Sequence, residues 1–351
     1  MDKSRPPHVS SRPEQAVVNL EAKLGFLGRP DAYPGAPSRV DAVETHMSWV
    51  FLTDSHAYKL KKPVRYDYLD FSTVEARRLD CVVEVRLNRR LAPEVYLGVV
   101  PLAVDAAGRL SLGGAGETVD WLVRMRRLPA GRMLDHLLRN GGVEHADIRQ
   151  LAQRLARFYA ALPAEPLTPA TYRQSLAGRI EDNLRELGSP EFGLPRDVPA
   201  GLARFQLDFL QRHAEWFDQR VQAGRIVEGH GDLRPEHVCL LAEPVVIDCL
   251  EFKREFRILD PADELGYLAL ECERLHAPHV ARWLLDGYAE ASGDAPPVAL
   301  LHFYQSCRAM LRAKLAFWHL RDDGRHRPEK WIATARDYLE WAQRHADSAA
   351  G

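Results

Sequence analysis

The chain has little of what marks several broad classes of protein. Its five cysteines, Cys81, Cys239, Cys249, Cys272 and Cys307, stand far apart, include no CxxC pair and are odd in number. That excludes a disulfide framework or a thiolate metal cluster and points to reduced core residues in the cytoplasm. No run reaches the ~18 apolar residues of a membrane span. The N-terminal MDKSRPPHVSSRPEQ is polar and proline-rich where a secretory signal would be apolar. Neither sign of charge dominates: 47 Lys and Arg stand against 49 Asp and Glu, a formal net charge of -2, so neither nucleic acid nor membrane is expected as a partner. There is also no GxxxxGK[ST] phosphate loop, no internal repeat and no low-complexity tract.

What remains is a chain of 351 residues with 46% hydrophobic content, long enough to bury a core in each of two lobes. Residues 1–13 read as a disordered lead-in, and a first helix covers about 14–27. Residues 45–62 alternate in the manner of strands around a turn at Asp54-Ser55-His56, a β-hairpin. Over 72–92, Ser72 or Thr73 can cap a helix with Glu75 in its first turn, and Leu79, Val82, Val83, Leu87 and Leu91 recur at helical spacing. Strand character returns at 95–104, 109–112 and 117–125, then gives way to turn chemistry at Arg126-Arg127-Leu128-Pro129-Ala130-Gly131. Beyond it the pattern is helical, as in Ile148, Leu151, Leu155, Phe158, Tyr159 and Leu162, interrupted by short strands that flank residues 238–248. The organisation is α+β: a β-rich N-terminal lobe over 14–125, a hinge at 126–131 and an α-rich C-terminal lobe over 132–345.

The chemistry concentrates in GHGDLRPEHVCLLAEPVVIDCLEF. Asp232 lies in a polar loop with His237 five residues on, a spacing that matches a kinase catalytic loop, where the aspartate accepts the substrate hydroxyl proton and the last position holds a metal. VCLL and VVID then flank Ala242-Glu243-Pro244 as a short hairpin that returns Asp248 beside the loop carrying Asp232. Phosphoryl transfer needs such convergence, because Mg²⁺ demands oxygen ligands while the acceptor hydroxyl is oriented for in-line attack.

HGD with a ligand residue at this spacing, followed by IDxxEF, resembles the aminoglycoside phosphotransferase family, whose members share the protein-kinase-like two-lobe fold. The likeness covers about residues 40–320 and is greatest to a subgroup often fused to a P-loop ATPase domain, through WVFLTDSHAYKLKKPV, LDFST, RLNRRLAPEVYLGVVP and VRMRRLP. As the sequence stands, that domain is not expected in this chain. The resemblance implies an ATP-dependent transfer to a hydroxyl of a small molecule. It implies Asp232 as the catalytic residue and Asp248 with His237 as ligands of Mg²⁺ or Mn²⁺. Lys59 would grip the nucleotide phosphates, held by Glu84, and the Thr45–Ser48 turn would meet them through hydroxyls such as that of Ser48. The backbone around Arg126 and Leu128 would receive adenine. His230, Asp260 and Asp263 become structural supports, Asp263 bracing the catalytic loop and Asp260 capping the helix in RILDPADELGYL.

Several features leave alternatives open. Lys61 shares a strand face with Lys59, so the choice of Lys59 rests on the resemblance alone. Glu84 stands among Arg77, Arg78, Arg86, Arg89 and Arg90, where an ordinary surface ion pair is the plain alternative. Arg308 and Arg312, one helical turn apart, read as a solvated or internally paired stripe, with an acceptor site as the second possibility. His237 stands where the family has Asn, and imidazole suits Mg²⁺ poorly. That departure sustains a second hypothesis, a nucleotide-binding pseudokinase acting through a protein partner; a zinc hydrolase built on His230, Asp232, His237 and Asp248 is a remote third. Acceptor identity rests with residues 165–225 and the C-terminal helices, which carry no motif that names a ligand.

Overall fold

The structure, a computed structural model, describes residues 18–66, 69–190, 193–194, 197–322 and 328–351. The lead-in at 1–13 lies outside these residues. The chain divides into two compact units, one taking residues up to Val82 with Tyr96–Arg127, the other taking Val83–Val95 and the chain from Leu128 onward. The 83–95 segment therefore packs with the second unit, where the sequence pattern placed a single lobe over 14–125.

In the first unit, α1 (Leu20–Leu27) starts at Asn19, whose side chain accepts the Ala22 N–H. Strands β1 (Asp41–Glu44), β2 (Ser48–Leu52) and β3 (His56–Lys61) form an antiparallel meander; a two-residue ribbon, β4 (Arg65–Tyr66) and β5 (Leu69–Asp70), follows. Helix α2 (Val74–Asn88) then leads to β6 (Tyr96–Val104), β7 (Leu110–Leu112) and β8 (Glu117–Arg126). The sheet order is β1-β2-β3-β8-β6-β7. Alternation puts Tyr58 and Leu60 of β3 on one face, where they pack with Leu27, Phe51, Leu102 and Leu122. Asp120 on β8 ties both helices to the sheet: Lys23 of α1 binds it at 2.8 Å, and Arg77 of α2 grips it with two bonds of 2.7 and 2.9 Å. Such a buried, fully partnered carboxylate fixes helix position; removing either cation leaves charge uncompensated.

The second unit is built on helices α3 (Leu134–Asn140), α4 (His145–Ala160), α5 (Pro169–Leu187), α6 (Asp197–Arg212) and α7 (Ala214–Gln222). After four short strands it continues with α8 (Pro261–Arg274), α9 (Pro278–Ser292), α10 (Val298–Asp322) and α11 (Pro328–Ala350). One core joins Ile148, Leu151 and Leu155 of α4 to Leu268 of α8 and Leu284 of α9. A second, aromatic core joins Tyr172, Phe209, Phe217, Phe303, Phe317 and Tyr338. The strands are β9 (Val227–Glu228), paired antiparallel with β12 (Ile258–Leu259), and the hairpin of β10 (Val238–Cys239) with β11 (Val245–Val246). Two loops, 229–237 and 247–257, hang between these pairs. Among the described residues no helix is long and apolar enough to cross a membrane.

Candidate active site

The two loops are stitched to each other by main-chain bonds: Ile247 N–H donates to His237 O at 2.9 Å and Leu250 N–H to His230 O at 3.1 Å. His230 adds a side-chain stitch, with Nε2 2.9 Å from Ile247 O and Nδ1 receiving the Asp232 N–H at 3.3 Å. Burial, helped by nearby His237, pushes its pKa down to about 3, so it serves as a neutral spacer between the loops. Gly231 has φ +90°, and a Cβ there would stand 3.1 Å from both Arg257 Cγ and Leu250 Cβ, which explains glycine between His230 and Asp232. The 83–95 segment grips the same loops from behind. Asn88 Oδ1 accepts the Cys249 N–H at 2.9 Å, and Arg90 donates to Glu228 O and Gly229 O at 2.7 Å each. Arg90 also stands 3.3 Å from the Cys249 thiol, which donates to His230 O at 3.2 Å and which burial pushes up to about 12.

Asp232 presents a partly exposed carboxylate held at one oxygen: Oδ1 accepts from Tyr267 Oη at 3.2 Å and lies 3.0 Å from Arg234 Nε. Burial alone would raise its pKa; the Arg234 guanidinium, then His237 and Arg312, outweigh that and hold it well below the usual carboxylate range. His237 stands between the two carboxylates. Its Nδ1 donates to Asp232 O at 2.7 Å, a contact that places the proton on Nδ1 and leaves an Nε2 lone pair. Nε2 lies 3.5 Å from Asp248 Oδ2 and 3.4 Å from Arg234 Nη2. Asp248 adopts φ +61°, a left-handed conformation that costs a non-glycine residue about 1–2 kcal/mol. The flanking bonds at Ile247 and Leu250 hold it there and turn its carboxylate outward, 45% exposed. The Nε2 lone pair, which faces the Arg234 N–H, and the half-exposed Asp248 carboxylate thus stand side by side, a nitrogen and an oxygen donor of the kinds a divalent cation takes.

The support shell differs from the sequence expectation in one respect. Asp263 does not reach the loop backbone. It holds Arg308 with bonds of 2.7 and 2.8 Å, and Arg308 stacks 5.0 Å from the Tyr267 ring centre. The brace is the next residue, Glu264, whose side chain points about 100° further round the helix. Fully buried, it accepts the N–H groups of His230 and Gly231 and the Tyr159 hydroxyl, the last at 2.6 Å. Burial raises its pKa, against the pull of those donors. Asp260 caps α8 through the Ala262 N–H at 2.9 Å, and Arg220 clamps it at 2.6 and 2.7 Å while also holding Asp294.

The expected phosphate-gripping residues fall in the first unit, with Glu84 fully buried in the second. Lys59 is half-buried on β3, in register with Val50 and Val123. Two residues on, Lys61 is fully buried, 2.7 Å from Asp80 of α2 and 5.1 Å from the Phe71 ring centre. Ser48 is buried opposite Lys61, and the turn before it is closed by Thr45, whose hydroxyl bonds Ser48 N and O at 3.0 Å each. Arg126 ends β8, paired with His56, and Leu128 is half-buried just beyond. Sequence reasoning passed over Glu264, Arg234 as a partner of Asp232, and the Lys61–Asp80 pair. An acid adjoining a proposed brace, and an arginine two residues past the catalytic aspartate, were the available signals.

No protein-family model matches the chain. An uncharacterized protein of Mycobacterium tuberculosis is 34% identical over 292 residues, 82% of this chain and 57% of that protein, and a Mycobacterium bovis protein matches to the same extent. The chain thus spans little more than half the length of these curated relatives. Among solved structures, a choline/ethanolamine kinase family protein from Mesorhizobium loti aligns with a TM-score of 0.54 at 16% identity, over 93% of this chain and 98% of that one. A thermostable mutant of aminoglycoside phosphotransferase APH(4)-Ia aligns at 0.53 and 15% identity, over 90% and 96%. A GDP complex of an aminoglycoside 2'-phosphotransferase-IIIa mutant aligns at 0.52 and 15%, over 88% and 92%.

Proposed function

We propose that this chain, which has the protein-kinase-like fold of aminoglycoside phosphotransferases and choline/ethanolamine kinases, moves the γ-phosphoryl group of ATP to a hydroxyl of a small molecule. The observation that carries the reading is the cluster of Asp232, Arg234, His237 and Asp248: a carboxylate, a guanidinium 3.0 Å from it, and an imidazole nitrogen 3.5 Å from a second, half-exposed carboxylate.

Asp232 accepts a hydrogen bond from the acceptor hydroxyl and aims its oxygen at the γ-phosphorus. Its depressed pKa makes it a weak base, so the proton moves late, as a loose phosphoryl-transfer transition state allows. The acceptor O–P bond forms, the bond to the β-phosphate oxygen breaks, ADP leaves with the electron pair, and the hydroxyl proton passes through Asp232 to solvent. Arg234, 3.0 Å from Asp232, would answer the charge that gathers on the transferring oxygens. Asp248 and His237 would hold a divalent cation, Mg²⁺ or Mn²⁺, which neutralises the triphosphate. In the first unit, the Lys61–Asp80 pair is the stronger candidate than Lys59 for the phosphate-gripping lysine, because its ammonium is fully buried beside a helix carboxylate.

The test is a melting shift with ATP or GTP and Mg²⁺ or Mn²⁺, paired with ADP or GDP release, in the wild type and in Asp232→Ala and Asp248→Ala. Asp232→Ala is expected to keep the nucleotide shift and lose turnover, and Asp248→Ala to lose the metal-dependent part of the shift. Absence of any nucleotide shift in the wild type refutes the proposal. A shift with turnover that survives Asp232→Ala removes the aspartate from the chemistry.

A further inference from the structure

Helix α10 carries two arginines one turn apart, and they differ in what holds them. Arg308 is fully engaged: Nε and Nη2 on Asp263, Nη1 3.4 Å from Gly231 O, and its plane against Tyr267. Arg312 is not. Its Nε donates to Tyr338 Oη at 3.2 Å and lies 3.8 Å from Glu271 Oε1, and its guanidinium packs 5.4 Å from the Tyr338 ring centre. Among the described residues neither terminal nitrogen of Arg312 has a hydrogen-bonding partner, and the side chain is 22% exposed. Arg312 lies one turn beyond Arg308 on α10 and against Glu271, one turn beyond Tyr267 on α8, and the Tyr267 hydroxyl touches Asp232. The Arg312 charge accordingly helps hold Asp232 ionised.

The acids around it are already occupied. Asp263 holds Arg308; Glu271 accepts from Arg274 at 2.9 Å and Tyr338 at 2.7 Å; Asp337 accepts from Arg274 at 2.7 and 3.1 Å. A site for a cationic acceptor would offer a carboxylate or an aromatic face with its charge unanswered. This one offers a guanidinium edge, pinned at its inner nitrogen and by the Tyr338 ring, with two N–H groups in the fork geometry that matches a carboxylate or a phosphate.

We propose that the acceptor carries an anionic group, a carboxylate or a phosphate, and that Arg312 binds it while Asp232 receives the hydroxyl. This rests on the phosphotransferase reading and narrows it. The acceptor is a hydroxy acid or a phosphorylated polyol, and choline, ethanolamine and aminoglycosides are disfavoured by Arg312 and Arg234 together.

The experiment is a panel run on the whole chain, by melting shift with Mg²⁺ and the β,γ-imido analogue of ATP and by ADP release with ATP. One arm holds hydroxy acids (glycerate, gluconate), a second sugar phosphates (glycerol 3-phosphate, glucose 6-phosphate), a third the neutral counterparts, and a fourth choline and kanamycin. An anionic arm is expected to bind at least about tenfold tighter than its neutral counterpart. Arg312→Gln should weaken that binding about tenfold or more and Arg312→Lys should recover part of it, with the nucleotide shift unchanged in both. The two anionic arms separate carboxylate from phosphate. Preference for the neutral or cationic arm, or anionic binding that survives Arg312→Gln, overturns the inference. The anion titration is repeated without nucleotide, so a missing nucleotide shift refutes the phosphotransferase reading while the role of Arg312 is scored by itself.

Discussion

Removing the Glu264 carboxylate should disassemble the 229–237 loop before it disturbs the helix that carries it. In Glu264→Ala the buried N–H groups of His230 and Gly231 and the Tyr159 hydroxyl lose their acceptor. Each unsatisfied group costs about 1–3 kcal/mol, so the loss is about 3–9 kcal/mol, a large part of the 5–15 kcal/mol that holds a typical domain together. Glu264→Gln keeps one oxygen for the two N–H groups, and its amide can donate to a rotated Tyr159 hydroxyl, so about 1 kcal/mol is expected. The sign of the pH dependence follows from burial, which raises the folded-state pKa of Glu264 above its unfolded value. The wild type therefore binds this proton more tightly when folded, and loses stability as pH rises from the unfolded pKa through the folded one. The glutamine variant has no such group, so its deficit relative to wild type should be smaller at a pH well above the ordinary glutamate pKa than at one near it. Urea unfolding at both pH values measures these differences, and hydrogen exchange at the His230 and Gly231 amides reports the loop itself. An alanine variant within about 1 kcal/mol of wild type, with those amides still protected, would refute the reasoning.

Three further outcomes are expected. Arg220→Met strands the buried carboxylates of Asp260 and Asp294 and should lower stability by about 3–5 kcal/mol, with little rescue by Arg220→Lys, which lacks the two-pronged geometry; a thermal melt near wild type in either variant contradicts this. His237→Asn replaces a nitrogen ligand by an amide oxygen and should raise Mg²⁺ affinity relative to Mn²⁺ in nucleotide-dependent melting; an unchanged ratio would remove His237 from the metal's ligands. Lys61→Met should abolish the nucleotide shift while Lys59→Met retains most of it, and the reverse result restores the assignment by resemblance.

The sequence pattern revealed the elements that rest on local periodicity. The β2–β3 hairpin, α2, the strands β6 to β8 and the β10–β11 hairpin all lie where alternation or helical spacing places them. So did the placement of Asp232, His237 and Asp248 together, because a two-strand hairpin leaves few ways to return the chain. What escaped is set by orientation rather than position. Lys59 and Lys61 point to the same sheet face, so a period of two cannot choose between them; distance to α2 does. Asp263 and Glu264 are neighbours on α8, and only the direction of each side chain decides which meets the loop. Arg312 looked interchangeable with Arg308 because they share a helical stripe, and their partners come from α8 and α11, distant in sequence.

The thiol of Cys249 directly follows Asp248 in the chain, at the heart of the stitched loop pair, where oxidation would pry the two loops apart. Burial pushes its pKa up to about 12, which keeps it as the unreactive thiol near neutral pH. Its sulfur is buried against Arg90 and the His230 carbonyl, which shields it from solvent-borne oxidants. A chemical oxidant should therefore reach this sulfur late, after more exposed side chains.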